Sequence, residues 1–202
     1  MKTYKILLAI LCLYLLSACN YRSLILPKIG DDGLLSGEPC SAPCFWNITP
    51  GTTSEKEALG EVTSRLGIFP CHRWDSSNSG GTKGILCSDI SISFDDQNTV
   101  SVIGFNPTQE ITVSNVISKY GEPDGVFITF FGIGSQPPVA ALLYFDSLGM
   151  IVHLPEQNNK SYNLQAEIPV ERIVYLKKSD YFNNKSLVQS WKGYGIYKSL
   201  PK

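Results

Sequence analysis

The chain has 202 residues, 43% of them hydrophobic and 17% charged, with 17 basic against 18 acidic groups and a formal net charge of −1. Its basic residues are scattered, Lys177-Lys178 being the densest pair, which excludes the clustered Lys/Arg surface that a nucleic-acid binder needs. The apolar content suffices for one ordinary core or two small fused ones.

The first element is an eleven-residue apolar run, Ile6 to Leu16, behind Lys2 and Lys5 and closed by Leu16-Ser17-Ala18-Cys19. A membrane-crossing helix needs about 20 apolar residues, so this run is roughly half the required length and reads as a cleaved hydrophobic region behind a basic one. Small residues before a cysteine make residues 1–19 resemble a bacterial lipoprotein signal peptide. That resemblance implies removal of residues 1–18, lipidation of Cys19, and a mature protein held on a membrane of the cell envelope with its domain outside the cytoplasm. The alternative is an ordinary secretory signal cut near Ala18, leaving Cys19 free. Cleavage would take away two lysines and no acid, moving the formal charge to about −3. Acyl chains contribute about 0.8 kcal/mol per buried methylene, so two or three of them hold firmly where one holds only marginally. Residues 19–37, with Pro27, Gly30, Asp31, Asp32, Gly33 and Gly37, predict a flexible tether, and the domain is expected from Glu38.

Cys40, Cys44, Cys71 and Cys87 remain in the exported part, and four cysteines in an oxidising compartment predict two disulfides. Three connectivities are open to them. Cys71 and Cys87 lie almost symmetrically about the loop Asp75 to Thr82, which favours a cross-strand bridge in a hairpin and leaves Cys40 to pair with Cys44 around Ser41-Ala42-Pro43. The competing reading, a zinc site made by the four thiols with His72, needs two closely spaced cysteine pairs, and only one is present. Cys40-Ser41-Ala42-Pro43-Cys44 also has one residue too many for a thioredoxin-type redox pair.

Between these cysteines the spacing predicts a helix over Glu55 to Leu66, with Ser54 and Glu57 as a capping box, Ala58, Leu59, Val62 and Leu66 on one face, and Gly67 as the stop. Strands are predicted over Ile68 to Trp74, Gly84 to Cys87, Ile90 to Phe94 and Thr99 to Phe105, with a turn at Asp95-Asp96-Gln97-Asn98. The outline then repeats. Ile111 to Tyr120 reads as a second helix, capped by Thr112, with Val113, Val116, Ile117 and Tyr120 on one face, and stopped by Gly121 and Pro123. Val126 to Phe131, Val139 to Phe145, Met150 to Leu154 and Arg172 to Lys177 follow as strands, with a turn at Asp146 to Gly149. Helix then antiparallel meander, twice, predicts an α+β fold of two tandem repeats, 38–107 and 108–202, in a two-layer sheet-and-helix domain.

Pro50-Gly51-Thr52-Thr53 with Leu66-Gly67, and Tyr120-Gly121-Glu122-Pro123, resemble the BamE and beta-lactamase-inhibitor-protein type of fold, in which a short helix closed by Leu-Gly precedes an antiparallel sheet. Cys40 through Thr53 also resembles the start of a group of uncharacterised bacterial lipoproteins.

No catalytic or cofactor motif emerges. His72 and His153 are the only histidines, each within a predicted strand, and a lone histidine so placed is a structural residue more often than a general base. There is no Gly-x-Ser-x-Gly elbow and no His-Glu-x-x-His helix. Gly132-Ile133-Gly134-Ser135 runs into Gln136-Pro137-Pro138 where a dinucleotide loop would begin a helix, and Asp95 to Asn98 lacks the glycine and distal glutamate of a calcium loop. The sequence therefore predicts no catalytic residue, cofactor or metal. Aromatic residues remain as candidate partner-binding groups: Phe127 and Phe130 in a strand apolar on both faces, and Trp191 and Tyr194 in the tail beside Tyr197. A covered central strand and a tail docked on the core are the simpler accounts. The expected function is a non-enzymatic envelope lipoprotein that binds a protein or envelope material through a sheet face or edge; the alternatives are an extracytoplasmic hydrolase with an unfamiliar site and a secreted enzyme inhibitor.

Overall fold

The computed structural model describes residues 33–67, 71–75, 82–130, 138–177 and 187–198. Cys19, the predicted signal segment, most of the predicted tether and the loop 132–135 lie outside these residues. The architecture is α+β, two helices and a large antiparallel sheet. Helix α1 spans Glu55–Leu66 and carries the expected capping box: the Ser54 side chain accepts from the Glu57 N–H, and the Glu57 carboxylate accepts from the Ser54 N–H at 2.9 Å. Gly67 ends it at φ 63°, a left-handed backbone that favours glycine. Strands β1 (Cys71–Asp75), β2 (Lys83–Cys87), β3 (Ile90–Phe94) and β4 (Val100–Phe105) form a meander after it.

Helix α2 spans Val113–Tyr120. Thr112 is its N-cap, as predicted, extended at φ −98° and ψ 164° with its backbone bridged to Pro169, so Ile111 precedes the helix. Asn115 completes a second capping box that sequence reading left as a single cap. Strands β5 (Gly125–Phe130), β6 (Val139–Phe145), β7 (Met150–His153), β8 (Tyr162–Leu164) and β9 (Arg172–Leu176) follow, then β10 (Gln189–Ser190) and β11 (Gly195–Tyr197). Nine strands make one antiparallel sheet in the order β1-β2-β3-β4-β9-β7-β6-β5-β10, and β11 pairs with β8 in a two-stranded one.

The strand order shows how the two repeats join: last strand against last strand, β4 on β9. The Glu55 N–H donates to the Asn98 carbonyl and the Val100 N–H to Thr53; in the second half, Val113 donates to Ile168 and Val170 to Ile111. Asn98 and Ile168, like Val100 and Val170, are seventy residues apart. So are Gly104 and Val174, which face each other across the β4–β9 seam. That seam therefore coincides with an internal two-fold relation between the halves.

Both helices lie on one face of the sheet. Ala58 and Val62 of α1 and Val113 and Val116 of α2 join a single core with the strand residues of matching parity, including Ile85, Ile92, Ile103, Ile128, Leu143, Val152 and Tyr175. Burying such side chains contributes roughly 1.5–3 kcal/mol each. Leu34 is fully buried in this core, and its carbonyl accepts from the Tyr120 hydroxyl, so the packed domain begins before Glu38 and the predicted tether is too long at its end. Phe45 stacks on Phe105 with ring centroids 4.1 Å apart, and the Arg65 guanidinium of α1 lies over the Trp46 ring. Cys40 bonds Cys44, and Cys71 bonds Cys87 across the β1–β2 register.

Candidate functional site

The helices cover only one side of a nine-stranded sheet, and alternation puts the other half of the strand residues on the opposite side. Across that second face the register aligns Trp74, Gly84, Ser93 and Val102 in the first half and Arg172, His153, Leu142 and Phe127 in the second. Leu86, Ile151, Tyr144, Val174 and Leu176 extend the face. None of these joins the core that both helices help to form. Most are half-buried by their neighbours, while Leu86 is 43% exposed. The surface is mainly aliphatic and aromatic, with polar groups gathered at a few positions.

Two glycines shape it. A Cβ on Gly84 would stand 2.3 Å from both the Trp74 ring and the Ile92 carbonyl, so the indole lies directly across the strand. A Cβ on Gly104 would stand 2.4 Å from Arg172 Nη2, so the guanidinium likewise lies flat across β4. From there Arg172 Nη1 donates to Asn106 Oδ1 at 3.1 Å, and Nη2 donates to the Ser91 hydroxyl. Burial draws its pKa down from the ordinary value, while the charges of Asp89 and Glu171 oppose the shift. Among the described residues it has no carboxylate within ion-pair distance.

Beside Arg172 is a cleft of about 260 Å³, with Ala140 and Leu142 as apolar wall, His153 and Asn106 as neutral polar groups, and Glu156 and Glu171 as carboxylates. His153 pairs with Arg172 across β7 and β9. Burial, reinforced by the Arg172 charge, pushes its pKa down to about 4, so at neutral pH its ring is uncharged.

The predicted site residues are distributed differently. Phe127 lies on the helix-free face opposite Leu142, whereas Phe130 has the parity of the core side and ends its strand 48% exposed. Trp191 packs partly against the core and stacks with the buried Tyr197, whose hydroxyl accepts from the Lys192 N–H at 2.9 Å and donates to the Gly193 carbonyl. Tyr194 meets Trp191 edge-on and stays 47% exposed. The four therefore do not form one patch. All four cysteines, Cys40, Cys44, Cys71 and Cys87, are in disulfides, which leaves no thiolate there for a metal. His72 on β1 and His153 on β7 have four strands between them, roughly 24 Å at the usual strand spacing, so they cannot act on one substrate atom. Sequence reading missed Arg172 as a site residue; its signal was a lone arginine opening a strand otherwise apolar, Arg172-Ile173-Val174-Tyr175-Leu176.

No protein-family model and no curated protein matches the chain. Among solved structures it is similar to the crystal structure of a DUF4309 family protein, YjgB, from Bacillus subtilis subsp. subtilis str. 168, with 10% identity and a TM-score of 0.31, over 66% of this chain and 84% of that one.

Proposed function

We propose that the protein is a non-enzymatic envelope lipoprotein, anchored through Cys19, whose helix-free sheet face receives a protein partner. The observation that carries this reading is the one-sided sheet: a broad aliphatic and aromatic surface whose residues lie outside the packed core that both helices help to form. Contiguous apolar surface of that kind is uncommon on a protein with nothing to bind. The lipoprotein-like residues 1–19 and the two disulfides both suit an oxidising compartment. The tandem helix-and-meander order suits the resemblance to the BamE and beta-lactamase-inhibitor-protein type of fold, an argument from fold analogy alone. Hydrolysis has no support in the geometry, because neither histidine has a carboxylate hydrogen-bonded to it among the described residues.

Two arms test the proposal. Globomycin treatment, or Cys19→Ala, is expected to leave unprocessed or unlipidated precursor, and normal processing in both would refute the anchor. Affinity capture from native membranes is expected to recover one stoichiometric protein with the wild type and to lose it, by at least about tenfold, with Val174→Glu, which places a charge at the centre of the open face. Equal recovery with Val174→Glu would refute the face as the binding surface.

A further inference from the structure

The internal two-fold relation gives a control for what the fold itself requires. Position for position, the row Arg172, His153, Leu142, Phe127 in the second half matches Val102, Ser93, Gly84, Trp74 in the first. The first half closes its row with no ionisable group, by laying Trp74 across Gly84. The second half builds the same strands but leaves a cleft and sets a guanidinium and an imidazole in its wall. Arg172 and His153 are thus not what the sheet needs in order to form.

The chemistry of the cleft narrows what would fill it. Arg172 is half-buried, and the two groups to which it donates, Asn106 Oδ1 and the Ser91 hydroxyl, are neutral. They fix the orientation of the guanidinium, while the carboxylates of Asp89 and Glu171 act on its charge without a hydrogen bond to it. A half-buried guanidinium whose hydrogen bonds go only to neutral groups can still take a charged partner, and its planar fork is matched best by a carboxylate. The cleft's other charges are Glu156 and Glu171, both exposed and neither in an ion pair among the described residues. With His153 neutral, one cation and two carboxylates would repel a polyanion and suit a ligand carrying one carboxylate and one ammonium group. A volume of about 260 Å³ lies below the range of drug-sized pockets, which limits the ligand to a few small residues.

We infer that this cleft binds a small zwitterion of the amino-acid or dipeptide class, with its carboxylate on Arg172, its ammonium toward Glu156 and Glu171, and its apolar part on Ala140 and Leu142. The site stands whether or not a macromolecule covers the rest of the face. The test is titration of the full-length ¹⁵N-labelled protein in detergent at pH 7, following the Arg172 Nε–Hε resonance, with alanyl-alanine as the probe. N-acetyl-alanyl-alanine, alanyl-alanine amide and inorganic phosphate are the comparison arms. Alanyl-alanine is expected to shift the resonance saturably in the millimolar range, and each comparison compound to bind at least about tenfold more weakly. Followed by the Asn106 backbone amide, Arg172→Gln should lose at least about tenfold in affinity. Gly104→Ala should do the same, since its methyl group meets the far end of the Arg172 side chain rather than backbone. Absence of saturable binding, unchanged affinity in a natively folded Arg172→Gln, or phosphate binding as tightly as the dipeptide would overturn the inference.

Discussion

His153 carries the clearest pH dependence of any single residue. Burial and the Arg172 charge hold its folded-state pKa at about 4, against 6.5 for an unperturbed histidine. Between those values the unfolded chain binds a proton that the folded chain does not, so stability is complete above about pH 6.5 and falls as the pH drops toward 4. The loss amounts to at most about 3 kcal/mol. Urea denaturation at pH 7 and pH 4.5 is expected to show this decline in the wild type and a much smaller one in His153→Gln; parallel declines would contradict it. At this scale the sequence revealed the local groups and concealed the assembled ones. Ser54 and Glu57 are three residues apart, so their cap is readable directly. Arg172 meets His153 only through the register of β7 on β9, with β8 and a long connection between, and no local pattern encodes that.

Among the elements, the β1–β2 hairpin and the Cys40–Cys44 loop differ in what their disulfides constrain. Closing a loop with the 16-residue separation of Cys71 and Cys87 stabilises by about 3 kcal/mol in the chain-entropy model, and the 4-residue separation of Cys40 and Cys44 by about 2. Thermal melts of Cys71→Ser/Cys87→Ser and Cys40→Ser/Cys44→Ser double variants should therefore both fall below the wild type, with the hairpin variant the less stable. The reverse order would show that the short loop constrains more of the fold than its length implies. The helices and the eight main strands of the two meanders were legible because their apolar periodicity is strong; Ile90–Phe94 and Val139–Phe145 match their predicted bounds. The strands β8, β10 and β11 were not legible. They are two or three residues long, too short for alternation to register, and Gln189–Ser190 contains no apolar residue at all. Leu34 was lost for a related reason, since one buried leucine among glycines and aspartates looks like linker until a core is there to receive it.

At the scale of the whole molecule, the described residues form two helix-and-meander halves joined at β4 and β9, so that a continuous sheet has both helices beneath it and a helix-free face above. The duplication was readable from the repeated helix and stop signals. Its consequence was not, because composition cannot say which side of a sheet both helices take, and the predicted strand Val126 to Phe131 looks equally apolar on either face. The proposed function puts a protein partner on that face in the envelope. Photo-crosslinking in the native envelope tests this directly, with p-benzoylphenylalanine placed at Phe127, Ile151 or Val174 on the open face and at Lys56 or Thr63 on the exposed side of α1. The account predicts a cross-link to one and the same protein from the three sheet positions and none from the helix. Cross-links from the helix positions alone, or none from the sheet, would contradict it.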